Sequence, residues 1–481
     1  MLFNSIDFAL FLPIVFILYW SMKKNLKTQN LLIVISSYVF YGWWDWRFLS
    51  LILFSTMVDF LVGLGLSKQE HLTKRKLLLW TSIVVNLGFL GFFKYYNFFL
   101  DNFITAFSFF GNNIKSNSLD IILPVGISFY TFQTLSYSID VYKKKLEPTK
   151  DLVAFAAFVS FFPQLVAGPI ERATNLLPQF YAKRKFDYQR AVDGLRQILW
   201  GLFKKVVIAD NCAEFANQIF NNPNTYSGST LLLGAVFFSF QIYGDFSGYS
   251  DIAIGTSRLF GFNLKQNFAF PYFSRDIAEF WRRWHISLST WFRDYVYIPL
   301  GGSKGGTWTK IRNTFIIFIV SGFWHGANWT FVIWGALNAL YFLPLLLTGN
   351  NRHHLGSVAE GKKIPSIKEI LGMLSTFSLT VFAWIFFRAE NLTHAVNYIS
   401  GIFSSSLLSI PGVRGRDDGV ETIALMLIFT IMEWIGREDK YAIERLGIHW
   451  TRPFRYALYY LLIIAILQFG GMGHEFIYFQ F

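Results

Sequence analysis

Between residues 314 and 347 the chain carries no Asp, Glu, Lys or Arg. A stretch of that length without charge exceeds the roughly 20 residues that an apolar helix needs to cross a bilayer, and few soluble folds tolerate one. Shorter charge-free runs at 8–20 and 81–93 repeat the pattern, and only 15% of all residues are charged against the quarter or so usual in soluble domains. Much of the surface therefore faces lipid, and the reading is an all-α, polytopic integral membrane protein. The first run follows Met1-Leu2-Phe3-Asn4-Ser5-Ile6-Asp7, with no basic segment before it and no small-residue cleavage site after Trp20, so it reads as a retained helix. Cys212 is the single cysteine, which excludes an intramolecular disulfide.

The formal net charge of +13 could suggest nucleic acid, but the basic residues sit in short loops beside apolar runs. No nucleic-acid partner is expected; the bilayer is. Lys23, Lys24 and Lys27, then 68–76, then 143–150 mark cytoplasmic loops, while 43–47 and 101–120 hold few basic residues. That alternation places the N-terminus outside the cytoplasm. Residues 151–168 read as a span interrupted by Pro163, and 171–196 as an interfacial or re-entrant stretch. Apolar runs at 198–209, 231–260, 313–348, 370–387, 420–434 and 456–469 bring the total to about eleven spans. Lys204 and Lys205 make the first of these the least secure. Residues 1–481 read as one membrane-embedded domain, with short linkers only at 352–368 and 414–419.

Three constellations could carry chemistry. Phe280 to Tyr295 patterns as one amphipathic helix with Trp281, Trp284, His285, Leu288, Trp291, Phe292 and Tyr295 on its apolar face. Either it lies in the membrane interface with a satisfied core imidazole, or His285 points into the protein beside a site. Ser321-Gly322-Phe323-Trp324-His325-Gly326-Ala327-Asn328-Trp329 lies inside the charge-free run. A histidine at such depth needs a hydrogen-bond partner, is held neutral by its surroundings, and marks a general base unless it merely bridges helices. In Tyr243-Gly244-Asp245-Phe246-Ser247-Gly248-Tyr249-Ser250-Asp251 the two carboxylates fall on different helix faces. They read as acceptors for Arg282 or Arg293 rather than as an acid/base pair. His71, His353, His354 and His449 sit among loop charges, and His394 and His474 near helix ends. No metal-ligand spacing, phosphate loop or Gly-x-Ser-x-Gly elbow is present.

Together with Pro124-Val125-Gly126-Ile127-Ser128-Phe129-Tyr130 and Phe162-Pro163-Gln164-Leu165-Val166-Ala167-Gly168-Pro169, these motifs resemble the membrane-bound O-acyltransferases, and within them the branch that acetylates alginate. The likeness runs from Met1 to the aromatic end at 476–481. It implies His325 as the catalytic histidine and His285 as its partner across a funnel. Trp324, Gly326, Asn328, Asp245, Tyr249, Asp251 and Arg282 would line or support that channel. It further implies cytoplasmic acetyl-CoA as donor, no metal, and a bacterial inner-membrane location; free coenzyme A would need an entry tunnel with basic residues such as Lys304 or Lys310. A polysaccharide would be the acceptor, reached with an extracytoplasmic partner resembling the SGNH hydrolases. Asn328 is a possible oxyanion donor. D-alanyl transfer to teichoic acid from an acyl carrier protein is the nearest alternative, and a non-catalytic transporter a more distant one.

Overall fold

The computed structural model of the chain describes residues 1–109, 118–412, 416–470 and 473–477. Among these every regular element is helical and no strand occurs. Parts of the 101–120 stretch, of the 414–419 linker and of the aromatic end at 476–481 lie outside the described residues. Residues 416–419 belong to the helix Arg416–Ile435 rather than to a turn. Among the described residues five helices are long and apolar enough to cross a membrane: Trp46–Lys68, Leu72–Ser108, Gly228–Leu259, Trp329–Leu347 and Ile367–Arg388. The first apolar run forms the shorter helix Ile6–Ser21.

The chain divides into two compact units, Met1–Ala191 with Thr256–Leu264, and Val192–Gly255 with Lys265–Phe481. In the first, helix starts follow side-chain caps: Ser5 accepts from the Phe8 amide at 3.2 Å, and Asp151 from that of Ala154 at 3.0 Å. Asp59, wholly buried in the helix Leu49–Lys68, accepts hydrogen bonds from Ser82, from Asn86 at 2.8 Å and from Ser138 at 2.7 Å. A carboxylate there is tolerable only with such a full set of donors. The stretch around Pro163 forms two short buried helices, Leu152–Ser160 and Phe162–Leu165, in place of one span.

The second unit is built around a helical hairpin. The helix Thr307–His325 ends at Gly326, the chain turns, and Asn328 caps the helix Trp329–Leu347 by accepting from the Thr330 amide at 3.0 Å. One charge-free run thus becomes two antiparallel helices. They pack backbone to backbone: a Cβ on Gly322 would strike the carbonyl oxygen of Phe331, one on Gly335 that of Phe318, and one on Gly326 the Phe331 ring. Small residues give helices in lipid the close approach that a hydrophobic driving force gives them in water. A Gly322→Val variant is therefore expected to lose about 1–3 kcal/mol of stability, read as a lowered thermal midpoint in detergent. An unchanged midpoint would mean that the hairpin opens freely.

Candidate active site

His325 closes the first helix of the hairpin with only 4% of its surface exposed. Its ring is walled by aromatic side chains, with centroids 4.8 Å from Trp324, 5.2 Å from Trp334 and 5.3 Å from Phe387. Phe387 comes from the neighbouring helix Ile367–Arg388. The short segment Gly326-Ala327-Asn328 is pinned there too, because the Asn328 amide donates to the Glu390 carbonyl at 2.7 Å. Asn328 thus serves as helix cap and tie, with its amide oxygen and one amide N–H committed to backbone.

His285 does not lie on a continuous amphipathic helix. The segment breaks into Ile277–Arg283 and Ile286–Phe292, and His285 stands at the break with φ 43° and ψ 54°. A left-handed conformation at a residue bearing a Cβ costs about 1–2 kcal/mol. What holds it is Asn267, whose backbone carbonyl accepts from the Ile286 amide at 2.9 Å and whose side-chain oxygen accepts from the Ser287 hydroxyl at 2.8 Å and amide at 3.3 Å. The same oxygen lies 3.1 Å from His285 Nδ1. Periodicity alone could not reveal the break, since both halves keep the helical pattern. At 1% exposure, burial pushes the His285 imidazolium down to about 3, so the ring is neutral near pH 7.

One ring neighbours both histidines: Trp324 lies 6.2 Å from His285 and 4.8 Å from His325, centroid to centroid. A second aromatic route runs from Trp334 to Trp384 at 5.6 Å and on to Trp284 at 5.1 Å. The structure thus brings the two histidines to one aromatic cluster.

Asp245 and Asp251 belong to another part of the same unit. Their cations are Lys204 and Lys205 rather than Arg282 or Arg293: Lys204 Nζ lies 2.6 Å from Asp251, and Lys205 Nζ 2.9 Å from Asp245 and 2.8 Å from Asp210. Both lysines sit on a π-helical stretch, Phe203–Ala209, continuing the helix Tyr188–Leu202. Gly201 and Gly248 let the two backbones meet, each where a Cβ would crowd the other's carbonyl oxygen. Asp245 also accepts from the Ile477 amide at 2.6 Å, and Phe476 packs 4.8 Å from Tyr249 and 6.1 Å from Phe246. Phe246 in turn meets the His285 ring edge-on at 4.6 Å. The carboxylates therefore act at a distance, holding the wall against which His285 packs. Charge balance between the two apolar runs is the signal that would have paired them.

A cavity of about 540 Å³ lies along the helices that flank the two breaks, and neither His285 nor His325 is among its lining residues. Its lining includes Ser289, one turn beyond His285, and Ser321, one turn before His325, together with Trp281, Arg282, Arg293 and Arg352. Neither Lys304 nor Lys310 is among its lining residues. Arg282 donates to the carbonyls of Asn351 at 2.8 Å and His354 at 2.7 Å, which fastens the loop carrying Arg352 at the cavity edge. No group of three or more His, Cys, Asp or Glu able to hold a metal occurs among the described residues.

Comparison with known proteins places this arrangement. The profile of the membrane-bound O-acyltransferase family matches residues 40–385, which include both histidines. The chain is 38% identical to the probable alginate O-acetylase of Pseudomonas putida over the whole of both chains. It is 36% identical to the peptidoglycan O-acetyltransferase of Helicobacter pylori, over 85% of this chain and 81% of that one. With the teichoic acid D-alanyltransferase of Bacillus subtilis it shares 29% identity over 57% of this chain and 71% of the relative.

Proposed function

The chain belongs to the membrane-bound O-acyltransferase family, and from that premise we propose that it moves acetyl groups from cytoplasmic acetyl-CoA across the membrane to an acceptor hydroxyl, toward an extracytoplasmic polysaccharide. The observation that carries the reading is the pair of buried histidines sharing Trp324, in the same unit as a 540 Å³ cavity that is edged by Arg282, Arg293 and Arg352 and lined by residues one turn from each histidine. A volume of that order suits a cofactor-sized ligand, and guanidinium groups suit phosphates. His325 takes the proton from the acceptor hydroxyl as its oxygen attacks the thioester carbonyl. The carbon–sulfur bond then breaks and the proton passes to the departing thiolate, giving an acetyl ester and free coenzyme A. His285 stands as the second imidazole, whose proton-accepting nitrogen orients the incoming hydroxyl. Exclusion of water by the aromatic walls would protect the thioester from hydrolysis.

The names of the relatives point to alginate or peptidoglycan as the acceptor class, and the nearer likeness to acetylases than to D-alanyltransferases favours acetyl as the group moved. The same reading makes the whole chain one catalytic domain in the inner membrane, with about eleven spans and an extracytoplasmic N-terminus. An extracytoplasmic SGNH-hydrolase-like transferase would complete delivery to the sugar.

The test is release of free coenzyme A from acetyl-CoA by the purified protein in detergent, with candidate partner and acceptor added. Release is expected, and Arg293→Glu is expected to raise KM for the donor about tenfold or more, as loss of one charge-assisted phosphate contact does. No release with free coenzyme A thioester, but transfer from an acylated carrier protein, would overturn the choice of donor.

A further inference from the structure

We infer that Asn267 is a positioning residue that fixes which ring nitrogen of His285 carries the proton. The inference rests on the role proposed above for His285, and its geometry is independent of that role.

Asn267 is fully buried, 18 residues before the histidine it touches, and lies in the irregular segment that pairs with the helical break. Its side-chain oxygen faces the Ser287 amide at 3.3 Å. A backbone N–H can only donate, so the group facing it must be the carbonyl oxygen of the Asn267 amide. The other end agrees, since the Asn267 nitrogen donates to the Ser250 hydroxyl at 3.1 Å. With the oxygen so oriented, the 3.1 Å approach of His285 Nδ1 is a hydrogen bond only if Nδ1 carries the proton. A neutral imidazole has one such proton, so Nε2 is the nitrogen with the lone pair. Reversing the tautomer would set that lone pair against the amide oxygen and leave two buried acceptors facing each other.

The rings around His285 add to the constraint. Phe246 meets it edge-on at 4.6 Å and Phe268 lies nearly parallel at 6.3 Å, so the imidazole cannot turn over without displacing an aromatic side chain. Backbone and side chain of Asn267 act together: its carbonyl holds Ile286, its amide oxygen holds Ser287, and the turn between them puts His285 in its left-handed conformation. A histidine that must accept a proton or a hydrogen bond at one defined nitrogen gains from a fixed tautomer, and an interchange of the two removes function while leaving the ring in place.

The experiment compares Asn267→Ala, Asn267→Asp and His285→Ala in the coenzyme A release assay over a range of pH, with thermal midpoints measured alongside. Asn267→Ala is expected to lower kcat about tenfold or more with little change in KM for acetyl-CoA. Asn267→Asp keeps the acceptor oxygens, so kcat should recover at high pH. The new carboxylate favours the imidazolium, which shifts the acid limb of the pH profile upward. Phe246, Phe268, Trp324 and Asn267 are among the ring's neighbours and burial is what holds the imidazolium down, so a carboxylate introduced within hydrogen-bond reach of Nδ1 acts directly on it. Wild-type kcat in Asn267→Ala beside an inactive His285→Ala would overturn the inference alone. Loss in both Asn267 variants with a common fall in thermal midpoint and an unmoved pH profile would reduce Asn267 to a helix clamp, and also overturns it. Full activity of His285→Ala would instead remove the underlying role of the histidine.

Discussion

Coenzyme A release by a His325→Ala variant is expected to fall by a factor of about 10²–10⁴, the contribution of a positioned general base. Two of the rings that wall the imidazole, Trp334 and Phe387, also pack with each other and with Trp384, so this wall does not depend on the histidine alone for its shape. Truncation nonetheless opens a cavity, and some loss of stability accompanies it. A His325→Gln variant separates the two effects, because glutamine fills most of the volume and offers hydrogen bonds but is no base at neutral pH. Both variants should be inactive, and the glutamine form should unfold closer to the wild-type midpoint. Retained transfer in either one would remove His325 from the reaction.

Lys205→Met is expected to be the most damaging substitution outside the histidines. The ammonium group, 7% exposed, holds Asp245 at 2.9 Å and Asp210 at 2.8 Å and donates to the His474 carbonyl at 3.0 Å. Removing it leaves two carboxylates facing each other in an apolar interior, and breaking a buried pair in this way costs about 3–5 kcal/mol. The protein should accumulate poorly or unfold at a markedly lower temperature in detergent. Pairing Lys205→Met with Asp245→Asn should recover part of the loss, because the amide can accept the Ile477 hydrogen bond without carrying a charge. Equal midpoints for the single and double variants would mean that the ion pair contributes nothing.

Some of this was legible from residue order and some was not. The charge-free run 314–347 announced a histidine at membrane depth, because uncharged length is a property of the chain itself, but its division into two antiparallel helices at Gly326 was not read from it. The likeness of motifs carried the family. The break at His285 was hidden, since it depends on Asn267 reaching across from 18 residues away to satisfy the backbone of a turn. Arg282 and Arg293 were natural partners for Asp245 and Asp251 by charge, but they edge the cavity instead. Lys204 and Lys205, which weakened the case for a span at 198–209, are the true partners. A charge inside an apolar run is a poor reason to reject a helix when a second run carries its complement. Asn328 reads as a possible oxyanion donor whose direction the sequence could not fix, and its amide meets the carbonyl of Glu390, far along the chain.

The buried lysines also constrain how the protein can be made. Lys204 bonds Ser247, 43 residues later, and Gln197 in the same helix bonds Asp251, 54 residues later. When the segment 188–209 leaves the ribosome, neither Ser247 nor Asp251 has yet been synthesised, and the Lys204 ammonium group alone would cost about 2.5–3.5 kcal/mol at the centre of a bilayer. The segment must then wait in a hydrated compartment, or beside the insertion machinery, until Gly228–Leu259 arrives with its carboxylates. Entry of the two as a neutralised pair would spare that cost, so biogenesis is expected to couple these two segments rather than to insert them one at a time.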